Sequence, residues 1–182
     1  LTQSTIVLGH GGISRNNPDY YAVTVMNHIL GAGGFSSRLM DSIRDKQGLA
    51  YGIMSHYDAR MLPGSFWVNL QTRTEATNQA IAGVLTEIKA IRDSPVSDQE
   101  LSEAKSFLMG SFPLRLDSTA KLAQVLAQVE YYGLGFEYFS QYQKWIERVT
   151  KDDVQRVAKQ YLDPQRYALV VVGNVAKAKV RQ

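Results

Sequence analysis

Seven positions separate Arg44 from Tyr51, and the residues between them place the two side chains where they can act together. Leu39, Met40 and Ile43 recur at helical spacing, so Arg44 falls in the last turn of a short helix. Gly48 is a natural left-handed stop, and Leu49 to Tyr57 reads as a strand. A reversal of this kind lets a helix end and a strand start converge on one spot. A guanidinium fork beside a phenol hydroxyl would form a set of donors able to grip a peptide carbonyl or to stabilise negative charge growing on it. By residue type alone the competing description, a solvated Arg and a half-buried Tyr, is favoured.

Other candidate constellations fail on their own chemistry. Gly31-Ala32-Gly33-Gly34, followed by Phe35-Ser36-Ser37-Arg38, invites comparison with a phosphate-binding loop. It lacks the Lys-Ser/Thr ending of a Walker loop, and a helix leads into it where a dinucleotide fingerprint requires a strand. His10, His28 and His56 lie 18 and 28 residues apart, so no two can share one helical turn. The sequence H-x-x-E-H and its inverse are absent, and no metal is expected in this chain. No G-x-S-x-G elbow appears either. Glu100 and Glu103 resemble paired catalytic carboxylates in spacing, but they sit in the first turns of a helix, where capping explains them.

Composition narrows the field further. A hydrophobic share of 45% with 20% charged residues describes a globular chain. Lys plus Arg number 20 against 17 Asp plus Glu, and the charges are scattered, so neither nucleic acid nor membrane insertion is expected. With no cysteine, disulfides and thiolate chemistry are ruled out while the compartment stays open: a soluble protein of the bacterial periplasm or cytoplasm fits equally. The opening Leu1-Thr2-Gln3-Ser4 reads as part of a larger chain or a processed product, and residues 1–182 as a single domain.

The elements that must position Arg44 and Tyr51 follow from periodicity. Thr5 to Leu8 reads as a strand. Asn17-Pro18 should cap and start a helix running to about Leu30, and Ser36 or Ser37 should cap the short helix carrying Arg44. The strands 49–57 and 65–72 flank a Leu62-Pro63-Gly64 turn and form an antiparallel hairpin. From Glu75 onward the pattern is helical, with capping boxes at Ser97-Glu100 and Thr150-Asp153 and further helices near 118–132 and 137–148. Tyr167 to Val172 reads as a strand buried on both faces. The fold class is α+β, an antiparallel sheet packed against several helices.

Gly33-Gly34-Phe35-Ser36-Ser37-Arg38-Leu39, Ile43-Arg44 and Gly48-Leu49-Ala50-Tyr51 together resemble the signature of the C-terminal, zinc-free halves of M16 (pitrilysin/insulinase) metallopeptidases. Gly9-His10, the Asn17-Pro18-Asp19-Tyr20-Tyr21-Ala22 helix start, Pro63-Gly64 and Val170-Val171-Val172-Gly173 follow in the order that family shows, so the likeness spans nearly the whole chain. The resemblance implies a metallopeptidase-like half that closes with a second, H-x-x-E-H-bearing half, in the same polypeptide or in a partner subunit, around an unfolded peptide. It implies that zinc belongs to that other half, that this chain holds no catalytic residue, and that Arg44 and Tyr51 bind substrate near the scissile bond. The alternative is a structural relative that kept the fold and lost proteolysis. A lone half is also expected to expose apolar surface where its partner would pack.

Overall fold

Alternation of inward and outward side chains builds the first strand, β1 (Gln3–Gly11), in which Ser4, Ile6 and Leu8 are buried and Thr5 is exposed. The computed structural model describes residues 2–180. In it β1 pairs antiparallel with β3 (Ser65–Arg73) on one side and with β4 (Ala168–Val172) on the other, and β3 pairs antiparallel with β2 (Ala50–Asp58). The sheet order is β2-β3-β1-β4, which leaves β2 and β4 at the edges. Phe66, Val68 and Leu70 share the buried face of β3, as their period of two requires.

Helices cover that buried face. The helices α1 (Tyr20–Asn27) and α2 (Thr77–Asp93) lie against the sheet. On them pack α6 (Lys151–Tyr161), α3 (Asp98–Ser111) and α5 (Tyr138–Glu147). Ile81, Val84, Ile88 and Ile91 form the inward stripe of α2, and Val154, Val157 and Ala158 that of α6. Each fully buried Val or Ile among them stabilises the fold by about 1.5–3 kcal/mol. Both capping boxes form with reciprocal bonds, Ser97 with Glu100 and Thr150 with Asp153.

Three local expectations are corrected. β4 is not buried on both faces: Val170 and Val172 are 56% and 59% exposed, because helices cover only the other face of the sheet, which leaves the outward face open on central β3 as well. The first long helix begins at Tyr20, since Asn17 Oδ1 accepts from the Asp19 amide (2.8 Å) and closes a turn over Pro18 before the helix starts. That helix then widens, and His28–Ala32 winds as a π-turn. A short 3₁₀ turn (Phe112–Arg115) and a last helix, α7 (Val175–Ala178), lie where periodicity gave no signal.

The remaining helix, α4 (Thr119–Tyr132), buries only Val129 and leaves Leu122 and Leu126 on its surface. Leu114, Phe107, Tyr131 and Phe136 are exposed as well. Among the described residues no helix is long and apolar enough to cross a membrane.

Candidate functional site

The glycine-rich segment is built around its serines, whose hydroxyls do not do the capping expected of them. Ser37 does stand at the N-cap of the following helix by its backbone, extended at ψ 151° with its carbonyl accepting from the Asp41 amide (3.0 Å), but Ser36 Oγ donates to Gly33 O (3.0 Å) and Ser37 Oγ to Gly34 O (2.7 Å), so both hydroxyls close the glycine turn behind them. That helix winds wide from Met40 to Lys46 as a π-segment, a form often found at functional sites, with Ile43 fully buried. Gly48, at φ +62°, ends it: the Gly48 amide donates to Arg44 O (2.9 Å) and the Leu49 amide to Ile43 O (2.9 Å). Only a residue at ease in the left-handed region allows so tight a return into β2.

On the strand side the register slips. Ala50 faces Thr72 but Ile53 faces Leu70, so two residues of β2, Tyr51 and Gly52, stand opposite one residue of β3. This bulge turns Tyr51 outward, with 91% of its surface exposed, while Ala50 and Ile53 on either side stay buried. A glycine inside a strand pattern is the sequence signal of such a bulge, and Gly52 carried it.

The reversal and the bulge bring Arg44 and Tyr51 together. The Arg44 guanidinium carbon lies 5.4 Å from the centroid of the Tyr51 ring and 4.7 Å from that of Phe35, so the cation is flanked by two exposed aromatic faces. Its nearest carboxylate oxygen, on Asp45, is 3.9 Å away, and among the described residues its N–H groups donate no hydrogen bond. The fork is held in place with its donors unspent. A shallow cleft of about 370 Å³ opens beside Tyr51, bordered by Gly52, Met54 and His56 of β2 and by Asn69 and Gln71 of β3. It continues onto the outward face of the sheet, where the His56 and Trp67 rings stack at 3.8 Å.

Phe35 belonged to the glycine motif but had no chemical signal of its own. Stacking of this kind is worth roughly 0.5–1 kcal/mol at an exposed site. Phe35→Leu should therefore remove part of the ring-current shift of the Arg44 side-chain protons in NMR spectra, and Phe35→Tyr should keep it. Unchanged Arg44 shifts in the leucine variant would contradict the stacking.

Arg38, in the same motif, ties the site to α3. Its Nε and Nη2 donate to the two carboxylate oxygens of Glu100 at 2.6 and 3.0 Å, a bidentate fork. Glu100 thus serves both as cap and as anchor. Partial burial raises its carboxyl pKa, but the fork from Arg38 and the Ser97 amide outweigh this and hold it at about 2, against an ordinary 4.5. A carboxyl whose pKa falls on folding stabilises the protein above its unfolded value, and that gain fades as pH drops through the folded one. The urea midpoints of the native chain and Glu100→Gln should differ near neutral pH and converge between 4.5 and about 2. A gap independent of pH would refute this account.

The histidines do not assemble into a metal site. His10 packs against Phe66, His28 stacks on Phe107 at 4.8 Å and His56 stacks on Trp67. Burial lowers the pKa of His28 and favours its neutral form. Among the described residues no group of three His, Asp or Glu side chains is placed to hold a metal ion, so the residues present do not fit zinc.

The family model of the peptidase M16 inactive domain matches residues 1–108. The chain belongs to the M16 peptidase inactive-domain family. It is 31% identical over 172 residues to an uncharacterized zinc protease of Streptomyces coelicolor, covering 94% of this chain and 37% of that protein. It is 28% identical to a non-peptidase homolog of Helicobacter pylori, covering 85% of this chain and 36% of the relative. The crystal structure of a peptidase M16 inactive domain from Pseudomonas fluorescens superposes with a TM-score of 0.87 at 31% identity, over 94% of this chain and 41% of that one. This M16 chain therefore spans well under half the length of those two curated relatives, and its antiparallel sheet with helices on one face is the fold of the inactive domain.

Proposed function

We propose that this chain is the substrate-holding, zinc-free half of an M16 metalloendopeptidase, one domain of a larger assembly, and that Arg44 and Tyr51 hold the peptide beside the scissile bond. The observation that carries the reading is the Arg44 fork, fixed between two rings with its N–H donors unspent and next to an outward-facing phenol. Such donors suit a peptide carbonyl in the ground state and bind it more tightly as negative charge gathers on its oxygen. The chain's own part is to orient the peptide and stabilise that charge. Zinc would be held by the H-x-x-E-H half, in the same polypeptide or in a partner subunit.

Two further features support the reading. The exposed apolar side chains of α4 and its flanks (Leu122, Leu126, Leu114 and Phe136) are surface that a second half would cover. The cleft at Tyr51 and the outward sheet face beyond it offer a wall along which an extended peptide can lie.

The test is complementation: peptide hydrolysis with zinc by this chain alone, by an H-x-x-E-H half alone and by the two together. Activity confined to the mixture supports the reading. A second reading, a scaffold without proteolysis, draws on the relative named as a non-peptidase homolog. Inactivity of a mixture that nonetheless forms a stable complex would favour it.

A further inference from the structure

At the end of β1 remote from Tyr51, a cavity of about 510 Å³ opens between the C-terminal ends of α2 and α6. His10, Arg92, Lys159, Asp163 and Arg166 border it, so three cations face one carboxylate. That carboxylate is already committed: Asp163 accepts from Arg166 Nε (2.7 Å) and from the Gln165 and Arg166 amides. Arg92 and Lys159 have no carboxylate partner within 4 Å among the described residues. Arg92 Nε and His10 Nε2 are both buried and both lack a hydrogen-bond partner.

Cations in the last turns of α2 and α6 answer the partial negative charge of helix C-termini. That accounts for the basic residues but not for the two stranded nitrogens, since a buried polar atom left unpaired is costly. The pair also differ in kind. His10 Nδ1 lies 2.8 Å from Gly11 O and must donate to it, so in the neutral ring Nε2 offers a lone pair, while Arg92 Nε–H offers a proton. A ligand satisfying both must accept and donate while carrying negative charge. Hydrogen phosphate does this: its oxygens accept from Arg92 and its hydroxyl donates to His10.

We propose that this cavity is a phosphate-binding site, separate from the peptide site at Arg44 and Tyr51. Arg92 and Lys159 supply donors and charge, Arg166 closes the mouth, and His10 Nε2 accepts the phosphate hydroxyl. The inference does not rest on the peptidase reading.

The test titrates the whole chain at constant ionic strength with inorganic phosphate, glycerol 3-phosphate and sulfate, following the His10 imidazole signals by NMR. Inorganic phosphate should shift the His10 signals saturably, and Arg92→Met or Lys159→Met should weaken that binding by about tenfold or more, as expected for loss of a charged hydrogen bond. Saturation by glycerol 3-phosphate at lower concentration than inorganic phosphate, measured below about pH 6 where the monoester still keeps a phosphate hydroxyl, would identify a phosphate monoester as the source of the group. Sulfate, which has no proton to donate at neutral pH, should bind more weakly, and equal binding would overturn the part assigned to His10. Shifts that do not saturate, or that are unchanged in both variants, would overturn the site.

Discussion

Tyr51→Phe in the assembled peptidase should lower turnover by on the order of 10²-fold, the loss seen when one preorganised oxyanion donor is removed. The substitution deletes a single hydroxyl and keeps the ring, so the stacking that flanks Arg44 and the bulge that turns residue 51 outward persist. In the proposed role the donor acts chiefly on charge that develops in the transition state, so kcat and kcat/KM should fall together. Arg44→Ala should cost at least as much, since it removes a charged, forked donor. Arg44→Lys should recover little, because an ammonium keeps the charge but loses both the fork and the planar face between Phe35 and Tyr51. Turnover unchanged in Tyr51→Phe, in an assembly shown to be active, would remove Tyr51 from the reaction.

Much of this site was legible in the sequence because its parts are local. The helix end at Arg44, the stop at Gly48 and the strand start at Ala50 each depend on a few neighbouring residues, and their order forces Arg44 and Tyr51 into one region. Capping boxes were readable for the same reason. What escaped was whatever depends on contacts distant in the chain. Glu100 could be seen as a cap, but its fork to Arg38 joins residues 62 apart. Phe35 gains a role only once the π-segment folds back and brings Arg44 over its ring. The apolar run at Tyr167 to Val172 looked fully buried because composition cannot tell a sheet covered on two faces from one covered on a single face, and only the packing of distant helices decides that. Ser37 stands at the expected cap position, but the direction of its hydroxyl was not readable, since Ser supports either a cap or a backward bond to a carbonyl.

The site also depends on how firmly the π-segment sits on α2, and Ile43 decides that. Its side chain is fully buried beside Arg44, and its Cδ1 fills the place that a Cβ on Gly83 would need, so α2 approaches the segment at a glycine. Ile43→Ala removes this plug, and large-to-small changes at such positions cost about 2–5 kcal/mol. Against a total stability of about 5–15 kcal/mol, a loss of this size should be plain in a urea melt. Gly83→Ala approaches the same contact from the other side: the new methyl must displace Ile43 Cδ1, at about 1–3 kcal/mol, offset by about 1 kcal/mol that Ala gains over Gly inside a helix. The two surfaces are one contact, so their effects should not add. In Ile43→Val the Cδ1 atom is gone, and Gly83→Ala should then cost distinctly less than in the native background, a coupling that a double-mutant cycle measures directly. Additive losses would mean that Ile43 and Gly83 do not share the contact, and that Arg44 is held by the glycine turn and β2 without help from α2.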